Sequence, residues 1–63
     1  MFYYLVNQDG LVWSGYKFKK GTWQKAMLYK RKQSVIEKRT ELMIRGYSCT
    51  VKAITIQEVD VNV

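Results

Sequence analysis

Two apolar runs rich in aromatic and β-branched residues, residues 2–6 and 11–18, flank Asn7-Gln8-Asp9-Gly10. Such side chains fit a pleated, half-buried surface. Asp-Gly between two runs of this kind is a strong hairpin signal, because a type I′ turn needs positive φ at both central residues. With Asp9-Gly10 as a two-residue turn, Gln8 faces Leu11, Val6 faces Trp13, Leu5 faces Ser14 and Tyr3 faces Tyr16. Directly opposed residues share a sheet face. One face then holds Phe2, Tyr4, Val6, Leu11 and Trp13, and the other Tyr3, Leu5, Val12, Tyr16 and Phe18. Both are apolar, whereas a hairpin with one wet face alternates more cleanly. Either a bulge at Gly15 shifts the register or something covers the second face.

Downstream, residues 19–22 read as a basic loop around Gly21, and residues 23–29 as a structured connection with Trp23, Ala26 and Leu28 tucked against the core. Residues 31–45 give the best helix. Val35, Ile36, Leu42, Met43 and Ile44 fall near one side, with the aliphatic stem of Arg39 filling the gap. Glu41 and Arg45 form a favourable i,i+4 pair, while Glu37 and Glu41 repel mildly. Gly46 stands where a left-handed residue ends a helix. Residues 48–61 read as the last strand, whose apolar parity shifts near Ala53, so a bulge or bend is expected there, or an end by about Glu58. The expected fold is α+β in the order strand–strand–helix–strand, with one helix packed on a small antiparallel sheet and residues 1–63 forming a single small domain.

A chain of 63 residues buries only ~60% of its unfolded surface, and domains this small often rely on disulfides, a metal or a partner. Cys49 is the one cysteine, so no intrachain disulfide can form, and there is no histidine. Without histidine the commonest metal ligand and general base are missing. Cys49 reads as a small buried hydrophobe in a strand. The five acids Asp9, Glu37, Glu41, Glu58 and Asp60 are scattered, and no phosphate loop, dinucleotide fingerprint or nucleophile elbow is found. The expectation is a protein that is not an enzyme, with no catalytic residues, no metal and no cofactor.

The net charge of +6 is unevenly distributed. Between residues 17 and 39 lie nine basic residues, Lys17, Lys19, Lys20, Lys25, Lys30, Arg31, Lys32, Lys38 and Arg39, against the single acid Glu37. A clustered field of this sign favours polyanions. Trp13, Tyr16, Trp23, Tyr29 and Tyr47 lie among or beside these cations, and flat rings interleaved with Lys and Arg suit single-stranded nucleic acid. The same residue types also dominate protein interfaces. Lys30, Arg31 and Lys32 sit at the expected helix N-terminus, where cations oppose the helix dipole. The expected macromolecule-binding residues are Lys17, Lys19, Lys20, Lys25, Lys30, Arg31 and Lys32, with Trp13 or Tyr16 as the anchor. The expected partner is an acidic protein or nucleic acid, not a membrane. No span, leader or lipidation motif is read, and a lone thiol suits the cytoplasm.

The opening Phe2-Tyr3-Tyr4-Leu5-Val6 with Asp9-Gly10, Trp23 followed by Ala26-Met27-Leu28-Tyr29-Lys30, the basic helix ending at Arg45-Gly46-Tyr47 and a closing strand rich in valine and isoleucine together resemble small orphan accessory proteins of tailed bacteriophages. The resemblance implies an early accessory factor that binds and modulates a host macromolecular machine in the host cytoplasm. The basic charge stands apart from the acidic, DNA-mimicking strategy of many phage anti-restriction proteins. Two other readings stay open. One is a nucleic-acid-binding module, for RNA or single-stranded DNA, on the same basic block. The other is a structural homodimer closed through the second apolar sheet face.

Overall fold

The computed structural model describes residues 1–56. Strand β1 (Phe2–Asn7), strand β2 (Val12–Trp13), strand β3 (Phe18–Lys19), a 3-10 turn (Trp23–Lys25), helix α1 (Lys32–Ile44) and strand β4 (Cys49–Ile54) follow in that order. The strands form one antiparallel sheet, ordered β3-β2-β1-β4. The α+β arrangement of one helix on a small antiparallel sheet is therefore as expected. Among the described residues the sheet has four strands rather than three, because the expected second strand breaks at Ser14–Lys17 and turns back on itself.

The first hairpin departs from the expected register by one residue: Val6 pairs with Val12, not Trp13. The cause is Asn7. Its side-chain oxygen accepts from the backbone N–H groups of Asp9 and Leu11, both at 2.9 Å, and its carbonyl accepts from Gly10 N–H at 3.1 Å. With Gly10 at φ +79°, the loop is the three-residue kind, a turn followed by a left-handed glycine. The pair Asn7–Leu11 closes it, with Asn7 N–H donating to Leu11 O at 2.9 Å. The extra residue moves Trp13 onto the face of Leu5, since a one-residue slip exchanges faces. Asn7→Ala removes both side-chain bonds and is expected to cost about 1–2 kcal/mol, read as a lower urea midpoint; an unchanged midpoint would show that the backbone alone sets this register.

The helix-side face of the sheet carries Tyr3, Leu5, Trp13, Phe18, Cys49 and Val51. From the helix, Val35 and Leu42, one heptad apart, close onto Leu5 and Trp13 as the buried core, with Ile36 packed at its edge. Met43 and Ile44, expected on the same helix side, are instead exposed, at 55% and 82%. A 3.6-residue period turns positions 43 and 44 away from a seam centred on Val35 and Leu42. Tyr29 extends the sheet by one isolated bridge. It exchanges two backbone hydrogen bonds of 2.8 Å with Tyr3, which gives the connection its structure and leaves Trp23, Ala26 and Leu28 half-buried. The pairing of β4 with β1 is continuous from Asn7–Cys49 to Phe2–Ile54. No bulge occurs at Ala53, and the strand ends at Ile54. The expectations for Glu58, Val59 and Val61 lie outside the described residues. The other sheet face bears half-buried Phe2, Tyr4, Val6 and Ile54 and buried Val12, interleaved with Lys19, Thr50 and Lys52.

Beneath the helix, the Tyr29 hydroxyl and the Trp13 indole N–H are both buried and have no hydrogen-bond partner among the described residues. Burial pushes the Tyr29 phenol above its ordinary 10.0; the nearby indole N–H opposes this but does not close a bond of good geometry. Because the folded state holds this proton more tightly, its contribution is full below pH 10 and is lost as pH rises through the folded value. Tyr29→Phe removes an unsatisfied hydroxyl, with an expected gain of up to ~1 kcal/mol at neutral pH. It should also flatten the fall in stability above pH 10 relative to wild type, measured by urea titration at several pH values. A large loss at neutral pH would mean that the hydroxyl is bonded through water.

Candidate macromolecule-binding site

The second hairpin is built by Ser14. Its N–H donates to Lys17 O at 2.9 Å, its hydroxyl donates to the same oxygen at 2.7 Å, and Lys17 N–H returns to Ser14 Oγ at 3.4 Å. With Trp13 paired to Phe18, only Gly15 and Tyr16 remain as the loop. Tyr16 stands at the tip, 70% exposed. The ammonium groups of Lys17 and Lys19 lie 5.6 and 5.4 Å from its ring centroid. Both are within cation–π range.

The end of α1 supplies the opposite wall. Gly46, at φ +96°, lets its own N–H reach Met43 O and the Tyr47 N–H reach Leu42 O, both at 3.0 Å. This is a Schellman ending, in which the residue after the glycine packs back on the last turn. Tyr47 is thereby placed with its ring 5.0 Å from that of Phe18, which in turn lies 5.1 Å from Trp13. The result is an open groove of about 450 Å³ lined by Trp13, Tyr16, Lys17, Phe18, Leu42, Arg45 and Tyr47. Arg45 stays on its rim while sharing Glu41 with Lys38, at 3.4 and 3.0 Å. Hydrogen bonding from Lys38 first, then the charges of Lys38 and Arg45, holds the exposed Glu41 carboxyl below its ordinary value.

The expected basic block does not form one surface. Lys17 and Lys19 converge on Tyr16, and exposed Lys20 follows them. Lys30, Arg31 and Lys32 are also exposed, but they sit at the start of α1, about 18 Å along the helix from its Arg45 end. Lys25 lies on the 3-10 turn that Thr22 caps. Among the described residues none of these seven makes an ion pair. The two anchor candidates separate as well. Trp13 is 6% exposed and belongs to the core, so as a surface anchor it is corrected; Tyr16 is free. Phe18, Arg45 and Tyr47 were not among the expected binding residues. Gly46 carried the signal for the last two, since a helix-ending glycine folds its successor onto the helix.

Cys49 is half-buried against the core, and burial pushes its thiol up, away from the thiolate. Among the described residues no cluster of three or more His, Cys, Asp or Glu is placed to hold a metal ion, and no helix is long and apolar enough to cross a membrane. No family model, no curated protein and no solved structure matches this chain.

Proposed function

We propose that the protein is a non-enzymatic binding module that holds an anionic macromolecule on the face made by the second hairpin and the end of α1. The observation that carries this reading is Tyr16, exposed at a pinned hairpin tip with two ammonium groups beside its ring and a third cation, Arg45, across the groove. Among the described residues Lys17 and Lys19 make no ion pair, while Arg45 shares Glu41 with Lys38. A cluster of cations of this kind steers polyanions and makes binding salt-dependent. The resemblance to phage accessory proteins supports a role in the host cytoplasm, modulating a host machine whose surface or nucleic acid is acidic.

The separation of the two basic clusters supplies the test. Retention on heparin, a generic polyanion, is compared for K17Q/K19Q/K20Q and K30Q/R31Q/K32Q. Both variants lose three charges, so a uniform field effect would move them equally. The hairpin variant is expected to elute at clearly lower salt than the helix-start variant. Equal shifts, or a larger one for the helix start, would move the site away from the groove.

A second copy of the chain remains the other reading. The sheet face away from the helix favours it, with Phe2, Tyr4, Val6 and Ile54 only half-buried. Light scattering at micromolar concentration returning a monomer near 7.5 kDa would reject it.

A further inference from the structure

Resting on the reading that this face binds an anionic partner, we infer that the partner is single-stranded nucleic acid, with an unpaired base stacked on Tyr16 and its flanking phosphates taken by Lys17, Lys19 and Arg45. Protein interfaces also use tyrosine, but there the ring fills a pocket on the partner. Here a ring 70% exposed stands with two ammonium groups at its face on a loop held by three hydrogen bonds to and from Ser14. That is the pairing of flat face and adjacent cation that a single strand needs. An exposed ring on a rigid support is what base stacking uses, and the ordering entropy is already spent.

The cations are placed accordingly. Lys17 lines the groove, while Lys19 belongs to the opposite sheet face through its pairing with Val12. Their ammonium groups nevertheless both come within 5.4–5.6 Å of the Tyr16 ring. A base taking the ring face would displace an ammonium toward the phosphate that one sugar joins to that base. The open groove beside Tyr16 is lined by Phe18 and Tyr47, whose rings lie 5.0 Å apart and offer further flat apolar surface next to the tip. A duplex would leave the rings unused, because its base faces are hidden in the stack. Only an unpaired base offers one.

The experiment is fluorescence anisotropy of the full chain with four labelled probes: a short oligothymidylate, an abasic strand of the same length, a duplex of the same length and a polyglutamate peptide. The abasic strand keeps the phosphates and removes the faces. Oligothymidylate is expected to bind about tenfold tighter than the abasic strand. Tyr16→Ser should erase that difference and Tyr16→Phe should retain it, with circular dichroism confirming that both variants fold. K17Q/K19Q should weaken both single strands and reduce the salt slope by roughly 0.7 for each phosphate that is no longer neutralised. Equal binding of the thymidylate and abasic strands, indifference to Tyr16→Ser, or preference for the duplex or for polyglutamate would overturn the single-strand assignment while leaving the anionic-partner reading in place. Failure of all four probes to bind at low salt would overturn both.

Discussion

Trp13→Ala is expected to remove a large share of the chain's stability. The indole is 6% exposed, packs with Leu5, Val35 and Leu42, and lies 5.1 Å from Phe18. Truncating a buried aromatic costs roughly 3–5 kcal/mol. At roughly 0.05–0.15 kcal/mol per residue, a chain of 63 residues has only about 3–9 kcal/mol in total. Alanine leaves the Trp13 carbonyl, which accepts from Met27 N–H at 2.7 Å, in place, so the loss is that of the side chain, one of only two in β2. Tyr16→Ser, three residues away, should change stability by no more than about 0.5 kcal/mol, as exposed positions do. The pair of variants therefore separates fold from binding at the two positions that the sequence offers as alternative anchors. Urea unfolding followed by circular dichroism decides it: a Trp13→Ala midpoint close to wild type would make Trp13 a surface residue.

That contrast marks how far the sequence could be read. The hairpin at residues 7–10 was legible because the turn residues and the apolar runs are local signals. Its register was not, because Asn7 competes for the backbone through its side chain and adds one residue to the loop. One residue of slip changed the neighbours of every side chain in β2, and with them the role of Trp13. The helix and its glycine end were also legible. Which of its apolar residues face the sheet was not, since five of them spread over a wide arc and the sheet buries only a narrow seam at Val35 and Leu42. The binding face was half legible. Lys17, Lys19 and Tyr16 are neighbours in the chain, so composition found them. Arg45 and Tyr47 reach the same groove only through the packing of α1 on the second hairpin, which joins segments far apart in the chain in a way that periodicity does not encode.

Leu42→Ala tests the coupling between that packing and the groove. Leu42 is 1% exposed, closes the core from the helix side and lines the groove. Its truncation is expected to cost about 2–5 kcal/mol, while Ile44→Ala, at a position 82% exposed, should stay within about 0.5 kcal/mol. The two residues stand two apart on one helix, so helix propensity cannot account for the difference. Alanine leaves the Leu42 carbonyl in place, and with it the bonds from Arg45 and Tyr47 N–H that end the helix. What is removed is the side chain that supports Tyr47, which after a Schellman turn packs against the residue five positions before it. In any Leu42→Ala molecules that remain folded, Tyr47 therefore has less to hold it against Phe18. Leu42→Met keeps the volume and should cost less than about 1.5 kcal/mol. Polyanion binding corrected for the folded fraction should then follow the order wild type, Met, Ala. If the corrected affinity of the alanine variant equals that of wild type, Tyr47 is held by its own packing on Phe18, and the helix end contributes only Arg45 to the groove.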